Sequence, residues 1–414
     1  MSTPDGAAGG LRAVLAERAF ARFLGARFSV SVAVQMQTIA VGIQVYGLTH
    51  DPLDLGLIGL SQFAPFFALV LFAGQAADRW DRRSILLGCL LVLLACALAL
   101  LGFTLAGLKR PAPVFAVMVL FGLARAFMSP ATQALMPNLV PARLFSQAVG
   151  LNSSLWQVAT IAGPALGGAL YALDGPVIVY GSTAALLLAA IACMLGVVAP
   201  RTPGVGASTS WHTVVEGLRF VWQRRGLLGA ISMDLFAVLF GGATALLPAY
   251  AADILRVGPA GLGWLRAAPG MGAALMGAWL TWRPIGRHAG RAMFLGVAVF
   301  GLATIAFGAS THFWLSLASL ALLGASDMVS VFVRNVLVQV ETPDAMRGRV
   351  GAVSAMFIGA SNELGEFESG LTAAWWGLKP AVLVGGFATL AVAGLWARLF
   401  PQLRRLDHFG PHRD

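Results

Sequence analysis

Residues 74–107 read GQAADRWDRRSILLGCLLVLLACALALLGFTLAG. A charged opening, with Asp78, Arg79, Asp81, Arg82 and Arg83, gives way at Ser84 to a run without one Asp, Glu, Lys or Arg. As a helix rising about 1.5 Å per residue, residues 84–107 reach about 36 Å, enough to cross a hydrocarbon core about 30 Å thick. A charged loop followed by such a run is a membrane span with its basic anchor at the interface.

The pattern repeats outward in both directions. Apolar runs fall at 25–48, 55–76, 84–107, 113–136, 146–171, 177–198, 227–250, 260–281, 290–309, 312–336, 350–373 and 379–400, with Gly, Pro or charge between them. The expected fold is an all-α integral membrane protein with twelve transmembrane helices in two pseudo-symmetric six-helix bundles. The expected organisation is an N-tail at 1–24, a first bundle at 25–199, an inter-half linker at 200–226, a second bundle at 227–400 and a C-tail at 401–414.

Composition agrees with a lipid solvent. The 414 residues are 58% hydrophobic and 11% charged, against about 25% charged in soluble domains. A net charge of +10 raises the question of nucleic acid. The charges form short clusters between apolar runs rather than one patch, so no nucleic-acid partner is expected. Among 28 Lys and Arg, Lys109, Arg110, Arg256 and Lys379 alone fall in the alternate set of loops, and Arg125, Arg266 and Arg334 fall inside spans. The rest lie on the N-terminal side, which predicts both termini in the cytoplasm. Residues 1–22 have no apolar core of a cleavable signal. A monomer is expected.

Several chemistries are disfavoured. Cys89, Cys96 and Cys193 lie inside apolar runs without metal-ligand spacing. His50, His212, His288, His312, His408 and His412 fall in loops, span ends or the tail. There is no phosphate loop, Gly-x-Ser-x-Gly element or HExxH. No enzyme activity, metal or cofactor is expected, and ATP is not the expected energy source.

The two halves align with each other. At an offset of 202, Gly122, Leu135, Pro141, Gly163 and Gly168 meet Gly324, Leu337, Pro343, Gly365 and Gly370. At an offset of 204, Tyr46, Gly59 and Pro65 meet Tyr250, Gly263 and Pro269. Parallel repeats of this kind predict a substrate site near the bilayer midplane.

The segment Gly74–Arg83, with Gly74, Asp78, Arg79, Arg82 and Arg83, resembles the loop signature of the major facilitator superfamily. In the second half, TWRPIGRHAGR keeps Arg283 and Arg287 but has Trp282 in place of the acid, so a charge latch there is expected to be one-sided. Gly163-Pro164-Ala165-Leu166-Gly167-Gly168, with Gly150 upstream, resembles the antiporter motif of exporters in that superfamily, although Ala159 replaces an expected Gly. GLARAFMSPATQALMPNLVP (122–141), AVGLNSSLWQ and QVYGLTHDPLDLGLIGLSQFAP (44–65) resemble the bacterial exporter branch of enterobactin and macrolide efflux proteins. The resemblance implies an exporter of the bacterial inner membrane driven by proton antiport; it does not fix the substrate, for which a siderophore-like or amphipathic small molecule is the preferred expectation. Multidrug or macrolide efflux stays open, as do an importer and a non-transporting membrane protein.

Ionisable groups inside spans are functional candidates, because burying them is costly. Arg125 and its repeat partner Asp327 sit on helices that, in the resembling fold, face the central cavity. Arg125 is expected to bind a substrate anion or a carboxylate. Asp327 is expected to carry a proton or to pair with Arg125. Arg334, seven residues on, shares the Asp327 face. Glu363 and Glu366 share another face, where crowding of carboxylates favours a protonated form. Asp234 is a candidate for the substrate or proton pathway, with a reach to the Arg224-Arg225 pair as the alternative. Gln37 and Gln44 are expected to hydrogen-bond substrate or a neighbouring helix. Phe127, Met128, Trp156, Phe236 and Phe240 are candidates for cavity walls.

Overall fold

A computed structural model describes residues 12–107, 109–198, 211–343 and 346–407. The described residues are helical, with no strand. The long elements are α1 (Arg18–Thr49), α2 (Pro52–Arg79), α3 (Arg82–Leu105), α4 (Ala112–Leu135), α5 (Phe145–Leu195), α6 (Trp211–Gln223), α7 (Arg225–Phe240), α8 (Gly258–Trp282), α9 (Ala289–Ala309), α10 (Phe313–Glu341), α11 (Arg347–Trp376) and α12 (Leu378–Leu399).

Local chemistry sets the boundaries. Asp81 caps α3, its carboxylate accepting from the Ser84 amide at 2.9 Å and the Ser84 hydroxyl at 2.7 Å. Pro111 precedes the first turn of α4. Gly377, at φ +86°, separates α11 from α12 in a conformation that side-chain-bearing residues avoid. The 51 residues of α5 would be about 77 Å long if straight, more than twice a bilayer core. Asp174 and Gly175 leave helical geometry, with Gly175 at φ 65°, and Pro176 follows. The chain therefore bends between two arms, as expected for runs 146–171 and 177–198.

Nine helices among the described residues are long and apolar enough to cross a membrane by length and composition, with α5 counted once. Runs 260–281 and 350–373 correspond to α8 and α11, which fall outside that set. α8 is rich in glycine and carries Arg266, while α11 carries Arg347, Arg349, Glu363, Glu366 and Glu368. Much of the expected linker lies outside the described residues. Its described part is the amphipathic helix α6.

Contacts divide the chain into two compact units. The first holds α1, α2 from Ser61 onward, and α3 to α5. The second holds residues 49–60 and everything from α6. In the first unit Gly122 of α4 lies against the Gln62 carbonyl of α2, leaving no room for a Cβ. In the second, its repeat partner Gly324 of α10 lies against the Pro269 carbonyl of α8 in the same manner. Small residues allow this backbone approach where apolar side chains gain nothing over lipid. A core of Met233, Ala237, Met293, Val297, Val333 and Leu337 joins α7, α9 and α10 in the second unit.

Candidate functional site

A cavity of about 420 Å³ lies within the first unit. Arg27, Ser31 and Gln35 of α1 line it at helical spacing. Arg125, Met128, Ser129, Thr132 and Gln133 of α4 face it, and Phe66, Trp156 and Thr160 close the wall. Among the described residues, two guanidinium groups and no carboxylate line the cavity. Arg125 Nη1 donates to Gln62 Oε1 at 3.4 Å and its guanidinium lies 5.9 Å from the Phe121 ring centroid. Arg27 Nε and Thr132 Oγ1 are buried without a hydrogen-bond partner. Unspent donors next to aromatic and thioether surface suit an anion that also carries apolar or aromatic parts.

The glycines of α5 shape that wall. A Cβ on Gly163 would stand 2.6 Å from Gln35 Cβ, and one on Gly167 would stand 3.0 Å from Met36 Cα. The motif Gly163-Pro164-x-x-Gly167-Gly168 thus lets α5 lie on α1 beside a polar cavity residue. Gly150 meets nothing within 4 Å. Trp156 and Met128 line the cavity as expected. Phe127 lies in a separate groove between α3 and α4, and Phe236 and Phe240 pack on the second unit's core.

Gln44 is committed to neighbours. It donates to Thr104 Oγ1 at 2.9 Å and accepts from the Tyr180 hydroxyl at 2.7 Å. Gln37 is buried off the cavity, with its Nε2 unpartnered. The glutamine of α1 that reaches the cavity is Gln35. Arg27 was the other omission. Its position inside run 25–48 was the available signal, masked by its nearness to the basic N-tail.

In the second unit Asp234 pairs with Arg334, joining α7 to α10. This corrects the alternative in which Asp234 reaches toward Arg224 and Arg225: α10 offers a buried cation nearer than the helix end. Glu366 lies 3.5 Å from the Arg266 guanidinium, whose Nη1 also donates to the Thr244 carbonyl at 2.7 Å. A Cβ on Gly59 would stand 2.9 Å from Glu366 Oε2. Glu363 is half-buried one turn away. Asp327 is half-buried on α10, with no hydrogen bond or ion pair to it among the described residues.

The basic loop binds helix ends within its own unit. Arg82 Nη1 donates to the Ala134 carbonyl at 3.0 Å. Arg83 reaches Met194 and Leu195 carbonyls at 3.3 and 2.6 Å. Arg22 of α1 donates to the Gly196 carbonyl at 2.5 Å. These cations satisfy carbonyls at the C-terminal, negative ends of α4 and α5. Arg79 is exposed, Gly74 is half-buried, and the side chain of Asp78 lies outside the described residues.

Residues 10–409 match the model of a family described as transmembrane secretion effector. The enterobactin exporter EntS of Shigella boydii serotype 18 and that of Escherichia coli O139:H28 are each 26% identical over 399 residues, covering 95% of this chain and 94% of theirs. Among solved structures, a D-xylose-proton symporter superposes with TM-score 0.73 at 14% identity, covering 95% of this chain and 99% of its own. A bacterial homologue of the iron transporter ferroportin, inward-facing, superposes with TM-score 0.71 at 15% identity, covering 94% and 99%. At those identities the likeness is one of fold.

Proposed function

The chain belongs to the transmembrane secretion effector family of the major facilitator superfamily, and from that premise we propose that it is a secondary active exporter of an anionic, siderophore-like small molecule. It is a multi-pass membrane transporter and not an enzyme. The observation that carries the substrate reading is the cavity with Arg27 and Arg125 among aromatic and hydroxyl side chains, with no acid among the described residues that line it. A catecholate siderophore offers oxyanions to the guanidinium groups and rings to Trp156 and Phe66. The relatives named enterobactin exporters support that class.

The proposed architecture is twelve spans in two six-helix bundles: the nine long apolar helices with α5 counted as two arms, plus α8 and α11. Both termini face the cytoplasm of a bacterial inner membrane, by the Lys/Arg bias, and the chain works as a monomer. Alternating access moves substrate outward while protons move inward. Asp327 is the first candidate carrier, because it has no ion-pair partner among the described residues to hold it in the charged form. Glu366, held by Arg266, is the second. The proton gradient is then the energy source.

Everted membrane vesicles with a pH-gradient dye test this reading. Catecholate siderophores are expected to trigger proton release, and Asp327→Asn to abolish it. A response to lipophilic cations but not to siderophores would replace the substrate class with multidrug efflux. No substrate-dependent proton movement in sealed vesicles would overturn antiport.

A further inference from the structure

A second cavity, about 1030 Å³, lies in the second unit where the start of α7, the end of α10, the start of α11 and the C-terminal segment meet. Among the described residues that line it, Arg224, Arg225 and Arg347 stand with one acid, Glu341. The placement of Glu341 is informative. It ends α10, where a carboxylate opposes the helix dipole, and it leans over Gly226 in the first turn of α7, where a negative group is favoured. Its oxygens lie 3.6 and 3.9 Å from where a Cβ on Gly226 would stand. Among the described lining residues the guanidinium groups outnumber the carboxylates.

The next residue supplies a second, independent sign of a ligand. Thr342 is 2% exposed and lines the cavity, and its Oγ1 has no hydrogen-bond partner. A buried hydroxyl without a partner is costly unless something fills the space beside it. A helix N-terminus, arginines and a hydroxyl together form the donor set that holds phosphate oxygens.

The neighbouring surface says where the phosphate comes from. Helix α6 runs into the rim of the cavity at Gln223. Its Val215, Leu218 and Trp222 recur at helical spacing and are all exposed, Trp222 to 70%. An apolar stripe on an amphipathic helix of a membrane protein belongs in the boundary between headgroups and acyl chains. Arg224, stacked on Phe220 at 5.3 Å, marks the end of that stripe. Acyl surface along α6 and cationic depth beside it match a lipid whose headgroup bears net negative charge.

We propose that this cavity binds the phosphate of an anionic phospholipid, with Arg225, Arg347 and the Thr342 hydroxyl as its donors and the α6 stripe against the acyl chains. The proposal requires only that the chain sit in a membrane, so it stands or falls apart from the export reading.

The test is thermal unfolding of the full-length protein in detergent, with phosphatidylglycerol, phosphatidylcholine or inorganic phosphate added, and native mass spectrometry to count retained lipid. Phosphatidylglycerol is expected to raise Tm by several degrees and phosphatidylcholine to leave it nearly unchanged, because a ligand that binds only the folded state stabilises it. The double variant Arg225→Gln/Arg347→Gln is expected to lose the shift. Thr342→Val, which keeps the shape, is expected to reduce it while the protein stays folded without lipid. An undiminished shift in both variants, or none in the wild type, would overturn the site. An equal shift with inorganic phosphate would overturn the lipid as its source and assign the cavity to a soluble phosphate.

Discussion

Asp234 of α7 and Arg334 of α10 form an ion pair whose side chains are 6% and 4% exposed. The pair crosses the packed core of Met233, Ala237, Val333 and Leu337. Burying two charges gives little net stability, but removing one partner strands the other. Asp234→Asn and Arg334→Met are each expected to cost about 3–5 kcal/mol. The double change to Asn and Met is expected to recover much of that loss. Thermal unfolding of the three variants, arranged as a double-mutant cycle, measures the coupling. Additive losses would show that the pair is not a unit.

The first unit's cavity makes a different prediction. Arg27 and Arg125 face it, and Arg27 Nε is unspent. A hydrogen bond to a charged group is worth about 1.5–3 kcal/mol, a factor of about ten to a hundredfold in affinity. Arg125→Ala and Arg27→Ala are each expected to raise KM for an anionic siderophore by such a factor. Export of a neutral amphipathic compound by the same variants is expected to change much less. Uptake into everted vesicles over a range of substrate concentrations checks both. Equal losses for anionic and neutral compounds would point to damaged folding rather than lost recognition.

The fold was largely legible because lipid imposes a coarse code. A run such as 84–107 announces a span by length and lack of charge, and Gly175-Pro176 announces the bend in α5. The repeat at Gly122 and Gly324 was legible for the same reason: close helix approach leaves few residue types to choose from. Site partnerships were less legible. Spacing along α10 put Arg334 on the face of Asp327, but α7 supplied its partner, Asp234, a hundred residues away in sequence. On α1, the choice between Gln35 and Gln37 depends on where α5 lies, which Gly163 decides through contact rather than pattern.

Three acids of the second unit, Asp327, Glu366 and Asp234, separate into distinct expected phenotypes. A proton carrier must change charge during each cycle, and a carboxylate locked to a guanidinium resists that change. Among the described residues Asp327 has no such lock, Glu366 shares Arg266 in a partly exposed setting, and Asp234 is buried against Arg334. Asp327→Asn is expected to abolish substrate-dependent proton release with little change in Tm. Asp234→Asn is expected to lower Tm first. Glu366→Gln is expected to weaken both modestly. Dye-reported proton release and thermal unfolding on the same preparations discriminate them. Full coupling in Asp327→Asn would remove it as the carrier.

The early turns of α2 make a close backbone contact with α11 in the second unit. A Cβ on Gly370 of α11 would stand 2.8 Å from both the Gly56 Cα and its amide nitrogen, and 2.9 Å from the Pro52 carbonyl. A Cβ on Gly56 would stand 3.0 Å from the Phe367 carbonyl. The obstacles are backbone atoms on both sides, so no rotamer change relieves them. Residues 49–60 belong to the second unit, so the contact lies within that unit. Gly370→Ala is expected to force the two backbones apart and cost about 1–3 kcal/mol. Gly150→Ala, at a glycine with nothing within 4 Å, is expected to be neutral or slightly stabilising, since Ala favours the helix. Tm values for the two variants, with transport at saturating substrate, check the contrast. If Gly370→Ala matched the wild type in both, the close contact would carry neither stability nor function.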